Sequence, residues 1–290
     1  MLKRIIKGKW AYFFILPWFT LFAAFIFFPF IMGFVVSMQR YDFVTSKFIF
    51  LDNFIALFKS DLFYKSLYAT IRIAVILIPC TLIFSLWVAN TIAKTRKGFQ
   101  SFVKASFYIP AVSSSVALAV TWKWIFNPAY GLSAYLCSVA GIPSISWFET
   151  SGTAVLIVSI CVLACVIGQP IILYSAAIGG IPVTYYEAAD IDGATEWNKF
   201  FKITFPLLKP TTLFILITTT ISSLQVFEVP YLLTAGGPLY GTTTILYQLF
   251  KTAFEYMQYG LAASLGVILF IIIASVSALQ FKFLNSDVQY

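Results

Sequence analysis

The chain has 290 residues, 60% of them hydrophobic and 10% charged, with 19 Lys and Arg against 11 Asp and Glu and no histidine. Soluble domains are about 45–50% apolar and about 25% charged, so these proportions exclude a water-soluble globule and place the chain in a bilayer. Without histidine there can be no His-ligated metal site, His proton relay, or Ser–His or Cys–His catalytic pair.

A spanning helix needs about 20 apolar residues. The first apolar run, residues 10–38, follows Lys3, Arg4, Lys7 and Lys9, as in a signal peptide. It is too long for a signal core, is rich in Phe and has no small-residue cleavage site, so it is expected to stay as a membrane anchor. Further runs cover residues 67–93, 103–126, 153–178, 211–234 and 261–283. The expectation is an all-α membrane protein with six spans, an even number that returns both termini to one side.

Basic residues choose that side. Lys3, Arg4, Lys7 and Lys9, the turn with Lys94, Arg96, Lys97 and Lys104, the connection with Lys199, Lys202 and Lys209, and Lys282 in the tail all share one face, which the positive-inside rule makes cytoplasmic. The opposite face balances Arg40, Lys47, Lys59, Lys65 and Lys251 with acids. The net charge of +8 is therefore read as topology and lipid contact and not as nucleic-acid binding. Prolines punctuate the spans at Pro17, Pro29, Pro79, Pro110, Pro170 and Pro230. They are read either as packing irregularities or as marks of a moving or substrate-lining segment. Of the four cysteines, Cys80, Cys161 and Cys165 lie in apolar stretches, so with Cys137 they do not form a disulfide framework.

Residues 179–210, between spans four and five, are too polar to be membrane-embedded and too patterned for a tether. A short helix is expected at residues 182–191, opened by Pro182 and closed at Gly193. A second begins at Thr195 as N-cap, carries Trp197, Phe200, Phe201 and Thr204, and ends at Pro206. Interfacial loops normally turn lysines to anionic lipid, whereas the first helix offers Glu187, Asp190 and Asp192, which suits a protein docking element.

Glu187-Ala188-Ala189, then Asp192-Gly193-Ala194, Phe200, Ile203, Pro206 and Pro210 resemble the EAA motif of ATP-binding-cassette importer permeases. Asn53-Phe54 with Leu57-Phe58, Tyr108-Ile109-Pro110 with Trp122 and Trp124, and Leu233-Thr234-Ala235-Gly236-Gly237-Pro238 resemble the sugar-importing subgroup, of the maltose, lactose and glycerol-phosphate type. The resemblance implies that residues 1–290 form one transmembrane permease domain, half of a heterodimeric pore in a prokaryotic cell membrane, with the 179–210 loop as its coupling element. It also implies several partners: a second homologous permease subunit, two cytoplasmic ATP-binding subunits, an extracytoplasmic solute-binding protein and a sugar substrate. In that family the motif glutamate lies at the ATPase contact and the glycine permits the turn, roles that fall on Glu187 and Gly193.

The chain lacks G-x-x-x-x-G-K-[ST], so ATP and Mg belong to a separate subunit and no cofactor is expected on this one. Charges inside or near spans are Arg72, Lys123 and Glu228, the two cations read as outer-interface anchors or pore residues. Sugars are held by planar polar groups and aromatic faces, which makes Gln225, Phe227, Glu228 and Tyr231 a substrate-pathway set, with Gln169 beside Pro170 a weaker candidate. The competing reading pairs Glu228 with a neighbouring cation and leaves Gln225 to hold helices together. Two other classes fit less well. An ion-coupled secondary transporter would need buried carboxylates and repeated broken helices, and a membrane enzyme would need clustered acids or nucleophile–base pairs.

Overall fold

The computed structural model describes residues 9–42 and 45–284. Lys3, Arg4 and Lys7, part of the orientation argument, lie outside the described residues. The chain divides into two compact units, one of the residues up to Ser60 with Leu249–Ile268, the other of Asp61–Gln248 with the residues from Leu269 onward.

In the first unit, α1 (Lys9–Phe22) passes through a π-helical stretch, Ala23–Phe27, into α2 (Phe28–Ser37). Proline removes a backbone donor and its ring presses on the carbonyl four residues before it. The widened turn ends two residues before Pro29, so the bonding pattern shifts where that donor is missing and the helix continues. Within this run, Phe13–Ser37 is long and apolar enough to cross a membrane, and none of its most apolar window is buried. An antiparallel ribbon follows, β1 (Gln39–Asp42) on β2 (Thr45–Phe48), with Gln39 opposite Phe48. This ribbon makes the described chain nearly, not wholly, α-helical. α3 (Asp52–Phe58) is fixed by buried Asn53, whose Nδ2 donates to the carbonyls of Ser37 at 2.8 Å and Gln39 at 2.9 Å.

The second unit is built on α4 (Asp61–Ala93). Its buried residues Ser66, Ala69, Thr70, Ile73, Ala74, Leu77, Thr81, Ser85, Val88, Ala89 and Ile92 recur at helical spacing, a seam of mostly small side chains. Lipid offers no hydrophobic drive for helices to associate, so small residues that permit close approach do that work. α5 (Lys97–Val112) and α6 (Ser115–Ile125) meet at 101°. After α7 (Leu132–Val139), α8 (Ser151–Val166) and α9 (Gly168–Gly179) meet at 48°. The loop carries α10 (Val183–Ile191) and α11 (Glu196–Lys199), which continues through a π-helical stretch, Phe200–Thr204, into α12 (Phe205–Leu207). That run meets α13 (Lys209–Leu224) at 66°. Then comes α14 (Glu228–Thr234); α15 (Ile245–Phe250) and α16 (Tyr259–Leu284) divide between the units, and a third π-helical stretch, Lys251–Glu255, belongs to the first.

By length and composition, three described helices suffice to cross a membrane, and up to six if each bent pair counts as one span. Several boundaries differ from the sequence reading, the bends within the runs 103–126 and 153–178 among them. The run 211–234 is not one helix, since α13 stops at Leu224 and α14 starts at Glu228. Pro206 does not end the second loop helix, because the π stretch ending at Thr204 admits it into the next turn, and the break falls at Leu208.

Ile73, Leu77, Val155, Val158, Val162 and Val226 form one buried cluster between α4 and α8, while Val88, Ile92, Ile167 and Ile171 form another between α4 and α9. Gly168 brings α9 against α5: a Cβ there would stand 2.5 Å from the Phe107 carbonyl oxygen and 2.8 Å from Tyr108 Cα. Gly168→Ala should therefore separate the two helices and destabilise the protein by about 1–3 kcal/mol. Gly33→Ala, with nothing within 4 Å of the new atom, should leave the thermal midpoint in mixed micelles unchanged.

Candidate functional site

Two regions of the second unit carry the functional candidates. The first is the 179–210 loop. α10 ends in a Schellman cap, with the Ala194 N–H donating to the Ala189 carbonyl at 2.9 Å and that of Gly193 to Asp190 at 3.1 Å. Gly193 has φ +71°, the left-handed conformation that glycine adopts without strain. The Thr195 hydroxyl accepts from the Asn198 N–H at 3.3 Å and caps α11 as its sequence position implies. Lys199 ties the helices together, pairing with Asp190 of α10 and, at 3.1 Å, with Glu196 of α11. Its side chain is 12% exposed against 62% for each acid, so it is the sequestered partner. Glu196 also pairs with Lys94, just beyond α4. Tyr186 and Thr204 share a hydroxyl hydrogen bond of 2.8 Å across the loop. Glu187, Ala188, Asp192 and Gly193 are exposed, and Ala189 and Pro206 are half-buried. Around Glu187 the helix displays Val183, Tyr185 and Ile191 as exposed apolar side chains.

The second region is a cavity of about 520 Å³ at which three helix breaks converge. Ser113 and Ser115 line it from the α5–α6 break, Cys165 and Val166 from the end of α8, and Gln225, Val226 and Phe227 from the interruption between α13 and α14. Non-helical backbone at membrane depth is tolerated where it is buried in protein or lines a water-filled cavity. The third break has a direct cause. A helix through this point would bond the N–H of residue 230 to the Val226 carbonyl, and Pro230 has none. The hydroxyl of Thr244, from beyond the next loop, donates to that carbonyl at 2.7 Å instead. Thr70 of α4 in turn accepts the Ile245 N–H at 2.9 Å.

Glu228 opens α14, where an acid complements the helix dipole, and its residue lines the cavity. No Lys or Arg lines it, and among the described residues Glu228 forms no ion pair. Gln225 and Phe227 line it as well, so the structure brings three of the five sequence candidates together. Tyr231 stands outside the lining, stacked on Phe227 at 5.4 Å, and Gln169 lies outside it on α9. Sequence reasoning missed Ser113, Ser115 and Ser222 on the wall and Thr244 behind it. The visible signals were a serine triplet just after Pro110 and the run Thr242-Thr243-Thr244 in an otherwise greasy chain. Arg72 lies over the Tyr68 ring at 5.3 Å and 3.4 Å from the Ser151 hydroxyl, away from the cavity, while Lys123 is exposed.

Bent membrane helices around a mostly apolar cavity with a few polar side chains, joined to a charged helix–turn–helix loop, are the parts of a transport permease. The chain belongs to the family of binding-protein-dependent transport system inner membrane components, whose model matches residues 55–286. It is the permease subunit of an ATP-binding-cassette importer, a membrane transport component and not an enzyme. It is 32% identical to the probable ABC transporter permease protein YesP of Bacillus subtilis (strain 168), over 97% of this chain and 92% of that one. It is 30% identical to the trehalose/maltose transport system permease protein MalF of Thermococcus litoralis, over 95% and 94%. Its fold matches a chain of a bacterial alginate ABC transporter solved with an alginate pentasaccharide-bound periplasmic protein, with TM-score 0.85, 23% identity, and 97% and 96% coverage.

Thr244→Val should leave the Val226 carbonyl without its donor and destabilise the protein by about 1–3 kcal/mol, whereas Thr244→Ser should retain stability. Thermal unfolding of the purified protein in lipid-containing micelles reads the difference.

Proposed function

We propose that this chain forms half of the translocation pore of a sugar importer. It crosses the membrane six times with both termini in the cytoplasm, and each bent pair serves as one span within a single permease domain. A second permease subunit completes the pore, two ATP-binding subunits drive it, and an extracytoplasmic binding protein delivers the sugar. The observation that carries this reading is the convergence of three helix breaks on one cavity lined by Gln225, Phe227 and Glu228. Its volume falls within the range of about 300–1,000 Å³ usual for small-molecule sites. Polar side chains there meet hydroxyl groups, and the Phe227 ring offers a face to the sugar's C–H surface. The trehalose/maltose name of one relative supports the same substrate class.

Energy enters through the loop. α10 offers Glu187 between exposed Val183, Tyr185 and Ile191, an acidic point in an apolar surround that fits a cleft on an ATPase subunit. Ala188 and Ala189 keep the helix slim, Asp192 and Gly193 turn it, and Pro206 lies in the return run. Closure of the ATPase subunits moves this helix, and the bent spans turn that motion into opening and closing of the cavity.

Glu187→Lys should abolish co-purification of the ATPase subunit and reduce transport to background while the chain still inserts; full transport by this variant would remove the docking role. Gln225→Ala and Phe227→Ala should each lower sugar uptake at least tenfold while the ATPase subunit still co-purifies. Uptake of labelled sugars into vesicles separates the two classes of variant.

A further inference from the structure

We propose that Glu228 filters this passage by charge, admitting uncharged glycosides and turning away anionic ones; the inference rests on reading the cavity as the substrate path. The wall is mostly apolar and carries Glu228 and Gln225 as its large polar residues, with Ser113, Ser115 and Ser222 beside them and no Lys or Arg to neutralise the acid; the Ser113 and Ser222 hydroxyls donate to the Ile109 and Thr219 carbonyls of their own helices. A carboxylate only accepts hydrogen bonds, and its two oxygens suit two donors side by side. Adjacent hydroxyls of an uncharged sugar supply them. A uronate, phosphate or sulfonate brings further acceptors in their place, together with a charge of the same sign. Two like charges about 5 Å apart, at an effective dielectric constant of about 20, disfavour occupancy by roughly two orders of magnitude. The placement at the start of α14 satisfies the helix dipole whatever the side chain faces. The cavity lining is what gives this acid a second consequence.

Cys165 lines the same cavity and supplies a reporter that needs no knowledge of the sugar. In the assembled transporter in lipid nanodiscs, its modification is followed by mass spectrometry of the peptide that bears it. Two methanethiosulfonate reagents of similar size are compared, one with a trimethylammonium group and one with a sulfonate, each normalised to its rate with free cysteine. The cationic reagent should react at least tenfold faster. Glu228→Gln should remove most of that preference and Glu228→Asp should keep it. Because both rates come from one thiol, any change in its own reactivity cancels. Equal normalised rates in the unmodified protein, a preference unaltered in Glu228→Gln, or no reaction with either reagent would overturn the filter. Protection of Cys165 by maltotriose and by trigalacturonate tests the underlying sugar reading separately. Protection by the first alone supports both ideas, and equal protection by the two sinks the filter. Protection by neither, with the reagent preference intact, removes the sugar reading and leaves a cation-favouring passage.

Discussion

Everything in the second unit depends on how backbone polar groups are satisfied where water is scarce. A continuous helix such as α4 satisfies nearly all of them internally, Pro79 removing one donor, and it can therefore stand as the spine on which α8, α9 and α13 pack. An interrupted helix cannot, so each interruption needs a partner from elsewhere. The hydroxyl of Thr244 supplies one to the Val226 carbonyl, and Thr70 supplies another to the Ile245 N–H. At the break between α13 and α14, a threonine from a distant part of the chain takes over the bond that Pro230 gives up.

The cavity and the loop are joined by the shortest mechanical route available. α9 begins at the break after α8 and ends at Gly179, where the loop starts; α13 begins at Lys209, where the loop ends, and stops at Leu224, where the cavity interruption begins. At about 1.5 Å per residue these helices are about 18 and 24 Å long. Two helical rods thus run from the two ends of the loop to two of the three breaks. No contiguous wire of side chains is needed, because the covalent backbone is the connection.

What was legible in the sequence is what local rules decide. The Thr195 cap, the turn at Gly193 and the acidic helix around Glu187 all depend on residues within a few positions of one another, and the structure bears them out. What was not legible depends on distance or phase. Gln225 shares a face with Glu228 and Tyr231 only if the helix is continuous, and the interruption falls between Gln225 and the other two, while Tyr231 stacks on Phe227. The threonine run at 242–244 stands out in the sequence, but the partner of Thr244 does not, because it lies 18 residues away. The π stretches ahead of Pro29 and Pro206 escaped because a reading in steps of 3.6 residues treats each proline as a stop, when one added residue per turn lets the helix pass.

The bonds that stiffen the loop differ in kind from those that shape the cavity. Thr244, Thr70 and the buried clusters work out of contact with bulk water, whereas the Lys94–Glu196 pair and the acids on Lys199 stand at the aqueous surface. Surface attractions are screened over about 8 Å at physiological ionic strength and over about 3 Å at 1 M. The ion pairs that hold the loop are accordingly weakened by dissolved salt, and the buried hydrogen bonds that shape the cavity are not. Rising electrolyte would therefore loosen the joint between α10 and α11 before it disturbed the hydrogen bonds around the Val226 carbonyl.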